Sequence, residues 1–288
     1  MDTQTDSKIR LLLRILRFPL TRLLLLSYIL FYVTFSGKLF IQTFTPSPVP
    51  SLIVGLLTVA NLLLVYVSFA HFVERRSVSE LTLPGMGREL GFGLLLGFGL
   101  FTTCVLIAMV LGLYRIEGID SWQQVLPTGG ALVTPVGEEM LFRGVVFRIF
   151  EEVFGGWVAL IVSSVAFGLT HSGNEGETLA GIASIAIVFG PMLAAPFMVT
   201  RRLWMGIGLH GAWNYTMGKI FSGSVSGGQT GQGLFKTTFV GPELLTGGSA
   251  GMEGSLIAIL VSATASVILL ILAVRRGKIV PPSWKRRA

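Results

Sequence analysis

Eight stretches of mainly apolar residues divide this chain along its length. A helix that crosses the hydrocarbon core of a bilayer, about 30 Å thick, needs roughly 20 predominantly apolar residues. The eight stretches have about this length and lie near residues 20–42, 51–73, 89–114, 124–149, 156–172, 178–200, 203–221 and 254–274. The sequence therefore predicts an all-α, polytopic transmembrane helical bundle of about eight spans, which forms a single membrane domain over residues 1–288.

The composition agrees with a membrane protein and excludes several other classes. Charged residues make up only 13% of the chain, whereas soluble proteins average about 25%. The apolar content of 52% excludes a disordered chain, and the single cysteine excludes internal disulfides. The net charge of +7 comes without the mixture of basic and aromatic residues that is typical of nucleic-acid binding. We therefore expect the lipid bilayer, and no nucleic acid, as a partner.

The basic residues are unevenly distributed over the loops that the eight spans define. Seventeen of the 22 fall on the side of the amino terminus, four fall on the opposite side, and Arg143 lies within a span. By the positive-inside rule, the side that is richer in Lys and Arg faces the cytoplasm. This distribution predicts a multi-pass protein of the cell membrane with both termini in the cytoplasm.

Two segments outside the spans have a distinct composition. Arg10, Arg14 and Arg17 recur at steps of four and three residues among Leu and Ile, which places their charges on one helical face. This pattern predicts an amphipathic interfacial helix that ends near Pro19. Residues 222–254 are rich in Gly, Ser and Thr, so we expect a flexible loop there.

Ionisable residues inside the predicted spans carry the functional information. Glu138, Glu139 and Arg143 lie in the fourth span, where each charge costs about 2.5–3.5 kcal/mol on insertion scales. Glu139 and Arg143 are four residues apart and can form an ion pair on one helical face, which could serve helix packing alone. Glu138 is turned about 100° away from that face and is left unassigned.

Two further predicted spans each carry polar or aromatic residues one helical turn apart. The fifth span ends with Phe167 and His171, and the seventh contains His210 and Asn214. A single His or Asn within a span commonly serves only in hydrogen bonding between helices. A carboxyl, two imidazoles and an amide on three spans instead indicate a shared polar cavity.

Together, these patterns resemble the three motifs of the CPBP family, which includes the CAAX prenyl endopeptidases and is also called the abortive-infection family of intramembrane proteases. The resemblance covers about residues 124–220, which we expect to form the catalytic core. In this chain the motifs read Glu138-Glu139-x-x-x-Arg143, Phe167-x-x-x-His171 and His210-x-x-x-Asn214.

The resemblance implies an intramembrane endopeptidase that hydrolyses peptide bonds of membrane proteins or of lipid-modified peptides, as in CAAX-box processing. Glu138 would be the general base that activates water, and His171 would help to hold that water. His210 and Asn214 would donate hydrogen bonds to the oxyanion of the tetrahedral intermediate. Such donors gain strength where water is excluded.

The resemblance also gives Arg143 the role of holding Glu139 in place, and it leaves a metal-dependent mechanism open. Glu138, His171 and His210 offer the oxygen and nitrogen ligands that Zn²⁺ accepts, with an open position for water. The zinc-protease signature His-Glu-x-x-His is absent, and Asn is a poor zinc ligand. We therefore favour a mechanism that requires no cofactor and keep a Zn²⁺ metalloprotease as the alternative.

Two functions from other classes are alternatives to an endopeptidase. A proton-coupled transporter would also use buried Glu and His, but it predicts charges along a route and often repeated halves, neither of which is visible in the sequence. A non-catalytic membrane scaffold or adaptor has no evident need for the complete polar set. An aspartyl protease is disfavoured because Asp2, Asp6 and Asp120 all lie outside the spans.

Overall fold

The structure is a computed structural model that describes residues 11–45, 47–228 and 231–286. In these ranges eight long helical segments form a bundle, which confirms the predicted fold class. They are α1 (Pro19–Phe44), α2 (Pro48–Glu74), α3 (Met86–Val110), α4 (129–154), α5 (Gly156–Leu169), α6 (Leu179–Thr200), α7 (204–220) and α8 (Leu256–Arg275). Single helical turns lie at Ser79–Leu81, Trp122–Val125, Glu243–Thr246, Gly248–Ala250, Met252–Gly254 and Ser283–Lys285.

Length and composition distinguish two groups among these helices. Of the described segments, α1, α2, α3, α6 and α8 are long and apolar enough to cross a membrane. Helix α5 is apolar but has only 14 residues. Helices α4 and α7 carry the polar residues of the first and third motifs. Five candidate spans thus support a multi-pass membrane protein, while the number of spans stays a prediction for the other three helices.

Several helix ends differ from the predicted spans by three to five residues. The fourth helix begins at Gly129, five residues later than predicted. The third ends at Val110, because Gly112 adopts a left-handed conformation with φ of 73° and turns the chain into a strand. The fifth ends at Leu169, so that His171 lies in the turn after the helix rather than within a span.

A small sheet corrects the expectation of a flexible loop in residues 222–254. Strand β1 (Tyr114–Ile119) pairs in antiparallel register with β2 (Phe235–Phe239), which lies in that segment. The Tyr114 ring packs edge to face against the rings of Phe221 and Phe239. Aromatic residues scattered among Gly, Ser and Thr therefore give the segment a packed structure.

The amino-terminal helix lies partly outside the described residues. Residues 11–17 are helical and include Arg14 and Arg17, whereas Arg10 is outside the described ranges. The chain bends at Phe18, and α1 begins at Pro19, where the missing N–H of proline costs no helical hydrogen bond.

An ion-pair cluster joins the first turn of α1 to the ends of α2 and α4. The Glu74 carboxylate accepts hydrogen bonds from Arg22, at 3.1 Å, and from Arg148, at 2.7 Å. These contacts place the start of α1 and the ends of α2 and α4 at one end of the bundle. The helices therefore run up and down as the charge distribution requires, and the side that faces the cytoplasm stays a prediction.

Close packing of glycines fixes α7 against α3. A Cβ atom on Gly97 would lie 2.2 Å from the backbone oxygen of Leu209, and one on Gly93 would lie 2.2 Å from that of Met205. Small residues four apart allow membrane helices to approach closely. The residue that precedes His210 is thereby held directly against α3.

Three helices change from α to π geometry beside the motif residues. The π segments are Met140–Phe147 in α4, Ile185–Phe189 in α6 and Thr216–Ile220 in α7. Pro135 and Pro191, in α4 and α6, have no N–H to complete the α-helical ladder. Such wide turns occur often at functional sites, because they free backbone groups and turn side chains out of register.

Candidate active site

Glu139 and Arg143 form a buried ion pair in α4. Nη1 of Arg143 donates to Oε1 of Glu139 at 2.9 Å, and the two side chains are 0% and 1% exposed. Nη2 of Arg143 donates to the backbone oxygen of Gly190 on α6 at 2.9 Å, and the guanidinium lies 5.0 Å from the centre of the Phe167 ring. The pair therefore connects α4 to α5 and α6.

His210 lies between the two carboxylates of α4. Its Nδ1 is 3.1 Å from Oε1 of Glu139, and its Nε2 is 3.7 Å from Oε2 of Glu138. The side chain of His210 is 5% exposed and that of Glu138 is 20% exposed. The two adjacent glutamates thus have different surroundings: Glu139 is buried against Arg143, whereas Glu138 is partly exposed to solvent.

Phe167 lies against both imidazoles of the predicted site. Its ring centre is 4.8 Å from that of His171 and 5.9 Å from that of His210. Nδ1 of His171 is 2.8 Å from the backbone oxygen of Phe167. Because a carbonyl oxygen only accepts, Nδ1 carries the proton in this hydrogen bond and Nε2 is left for another partner. Within the described ranges, no carboxylate forms an ion pair with His171.

The turn that holds His171 also contains Glu177. Burial raises the pKa of the Glu177 carboxyl, and the nearby carboxylate of Glu253 raises it further, while His171 opposes this shift. The Glu177 carboxyl thus lies close enough to the imidazole of His171 and to the carboxylate of Glu253 to interact with both.

A small cavity lies beside His210 and Asn214. Its volume of about 10 Å³ is close to the least that holds one water molecule. Its other walls come from α5, α6, α7 and the segment before α8, through Phe167, Ile185, Phe189, Met192, Leu193, Trp213, Ser226 and Glu253. Asn214 therefore faces the same space as His210, one turn further along α7.

Glu253 is a cavity residue that the sequence patterns did not reveal. It is 6% exposed, and its carboxylate accepts hydrogen bonds from Nε1 of Trp213 at 2.9 Å and from the backbone N–H and the hydroxyl of Ser226 at 2.8 and 2.9 Å. In the sequence it is an isolated acid in a segment rich in Gly and Ser, with no motif around it. Only the packing of that segment against α7 brings it to the cavity.

The arrangement does not fit a ready metal site. Throughout residues 11–45, 47–228 and 231–286, no three His, Cys, Asp or Glu side chains gather closely enough to hold a metal ion. The carboxylate of Glu139 is already engaged by Arg143. The set of Glu138, His171 and His210 that the zinc alternative requires is therefore not assembled in this geometry.

Comparison with known proteins gives one matching family model. Residues 120–216 match the family model described as type II CAAX prenyl endopeptidase, Rce1-like, and this range contains all six predicted site residues. Neither the curated proteins nor the solved structures give a match to the chain. The matching model belongs to the endopeptidase family that the three motifs resemble. The chain is therefore an integral membrane protein, and its residues 120–216 are similar to the type II CAAX prenyl endopeptidases of the Rce1-like family.

Proposed function

We propose that this protein hydrolyses peptide bonds of membrane proteins or of lipid-modified peptides, with Glu138 as its general base. The position of His210 between two unlike carboxylates carries this proposal. Arg143 neutralises Glu139, so that Glu139 can serve only to orient the imidazole. Glu138 is the more exposed of the two and lies at the other nitrogen of His210, where substrate and water can reach it.

The reaction follows from these positions. Glu138 takes a proton from a water molecule, and the oxygen of that water attacks the carbonyl carbon of the scissile peptide bond. The electron pair of the C=O bond moves to oxygen and forms the oxyanion. The electron pair of the oxyanion then re-forms the C=O bond, the electron pair of the C–N bond leaves with nitrogen, and Glu138 returns its proton to the leaving amine. Nε2 of His171, left available by the hydrogen bond at Nδ1, holds the water.

His210 and Asn214 stabilise the oxyanion. Because Nδ1–H of His210 donates to Glu139, the imidazole can donate from Nε2 only as the imidazolium ion. Removing one such donor from an oxyanion site typically costs about 10²–10³-fold in kcat.

An apolar groove supports a substrate that carries a lipid chain. The groove has a volume of about 830 Å³ and lies between α3, α6 and α8. The groove reaches Met205 on α7. The next residue, Gly206, lies against Glu139, because a Cβ atom added to Gly206 would be 3.0 Å from Oε2 of Glu139. A chain bound in this groove would thus lie directly behind the helix that carries His210.

Cleavage of labelled membrane peptides by the purified protein tests the proposal. Glu138→Gln should lower kcat by about 10²–10⁴-fold, the usual contribution of a general base, with an unchanged apparent Tm. Glu151→Gln is the control. Glu151 is a buried carboxylate of the same helix, about three and a half turns from Glu138, and it pairs with Arg201. This variant should keep the wild-type kcat.

A chelator tests the metal alternative in the same assay. Under the proposed mechanism, wild-type activity persists after chelation. Activity that disappears with the chelator and returns with Zn²⁺ would replace this mechanism by the metal-dependent one. Equal cleavage by Glu138→Gln and the wild type would refute both mechanisms.

A further inference from the structure

Glu253 differs from the other buried glutamates in the described part of the chain. Glu80, Glu139 and Glu151 each pair with an arginine. The Glu253 carboxylate instead accepts hydrogen bonds from uncharged groups alone, and it lines the cavity of His210 and Asn214 although it lies outside residues 120–216. A buried carboxylate without a cation depends on each of its donors, because every lost hydrogen bond leaves charge unsatisfied.

The contacts of Glu253 join three parts of the fold. Oε1 accepts from Nε1 of Trp213 on α7 at 2.9 Å, and Oε2 accepts from Ser226. The backbone oxygen of Glu253 accepts from the hydroxyl of Ser184 on α6 at 3.1 Å. Glu253 thereby ties α7 to α6 and to the turns that precede α8.

Trp213 transmits this constraint to the oxyanion donors. In sequence it precedes Asn214 directly and follows His210 by three residues, so any rotation of α7 moves all three side chains together. The Trp213 ring is held edge to face between Phe101 and Phe189, at 5.1 and 5.3 Å. Aromatic packing limits where the ring lies, and the hydrogen bond to Glu253 fixes the direction of its N–H.

We propose that Glu253 is a positioning residue for the peptidase reaction. Through Trp213 it fixes the rotation of α7 and so holds His210 and Asn214 within reach of the oxyanion. This inference rests on the proposed function and adds a residue of the carboxyl-terminal third of the chain to the working site. It predicts a defect in the chemical step rather than in substrate binding, since the carboxylate acts through a neighbour.

Glu253→Gln tests the inference with kinetics and with a signal from Trp213. A glutamine amide has one oxygen that accepts and one NH₂ group that only donates. It can therefore accept from Trp213 or from Ser226, but not from both. We expect kcat to fall by about 10–100-fold, as for small misplacements of reacting groups, with KM unchanged. The indole N–H resonance of Trp213, identified by its loss in Trp213→Phe, should shift. Glu80→Gln is the control. Glu80 is a buried carboxylate that accepts hydrogen bonds from Tyr66 and Arg76, and this variant should keep the wild-type kcat.

A double variant separates positioning from general stability. Trp213→Phe should lower kcat to a similar extent, and Glu253→Gln combined with Trp213→Phe should be no slower than either single variant, because both remove one interaction. Wild-type kcat in a folded Glu253→Gln variant, or additive losses in the double variant, would overturn the inference. If Glu253→Gln does not fold, Trp213→Phe decides alone, and an unchanged kcat overturns it.

The Glu138→Gln variant keeps the two proposals distinguishable. If Glu138→Gln cleaves as well as the wild type, the proposed function has failed. If Glu138→Gln is inactive while Glu253→Gln and Trp213→Phe have the wild-type kcat, only the role of Glu253 has failed.

Discussion

Arg143 shows how a full charge is accommodated inside a membrane protein. Its guanidinium is inaccessible to solvent, and its partners are a carboxylate, a backbone oxygen and the face of an aromatic ring. Three kinds of electrostatic contact thus replace the water that the charge has lost. The backbone partner, Gly190, follows a π segment of α6, so the distorted helix contributes directly to the stability of the charge.

Removal of this arginine should affect folding before chemistry. In Arg143→Ala the buried Glu139 carboxylate loses its guanidinium partner, and breaking a buried ion pair in this way typically costs about 3–5 kcal/mol. We expect a large loss of folded protein after detergent extraction and a lower apparent Tm. Arg115→Ala removes an exposed arginine of β1 and should leave both unchanged. A folded Arg143→Ala protein with wild-type Tm would show that Glu139 needs no partner.

The contacts of single residues were predictable from the sequence only within one helix. The spacing of Glu139 and Arg143 predicts their ion pair, because residues four apart face each other on any helix. The hydrogen bond from Arg143 to Gly190 and the approach of Glu253 to Trp213 depend on how distant segments pack. No local pattern contains that information, so both contacts emerge only from the fold.

At the scale of helices, the bundle was predictable because the bilayer sets the length of each apolar stretch. The π segments were not, since the apolar pattern sets the length of a helix and not the width of its turns. The structured part of residues 222–254 was missed for a related reason. Its strand is short, and its partner β1 lies more than 100 residues earlier, so the pairing of the two strands is visible only in the folded chain.

The contact of α3 with α7 allows a test with two glycines on one helix. A side chain on Gly97 would overlap the backbone of Leu209, whereas Gly99 has no atom within 4 Å of an added Cβ. Gly97→Val should therefore push α7 away from α3, displace His210 and lower both the apparent Tm and kcat. Gly99→Val introduces the same side chain into the same helix and should change neither. Equal effects of the two variants would mean that helix propensity, rather than close approach, explains the loss.

At the scale of the whole molecule, the groove behind α7 connects substrate choice to the architecture. Helices α3 and α8 run in opposite directions along it, so that Arg88, near the start of α3, and Arg276, after the end of α8, line the same end. The remainder of the lining is mostly apolar. The polar site and the apolar groove therefore lie on opposite sides of one helix, as the proposed cleavage of lipid-modified peptides requires.

A tryptophan placed in this groove should select against lipid-modified substrates. Ile268 and Ile271 are both exposed residues of α8, but only Ile268 lines the groove. If Ile268→Trp displaces about two methylene groups of a bound chain, each worth about 0.8 kcal/mol, KM for a lipid-modified peptide should rise about tenfold. KM for the same peptide without lipid should stay unchanged, and Ile271→Trp should alter neither value. A rise in KM for both peptides would show general damage to the fold, and no rise for either would place the lipid chain outside the groove.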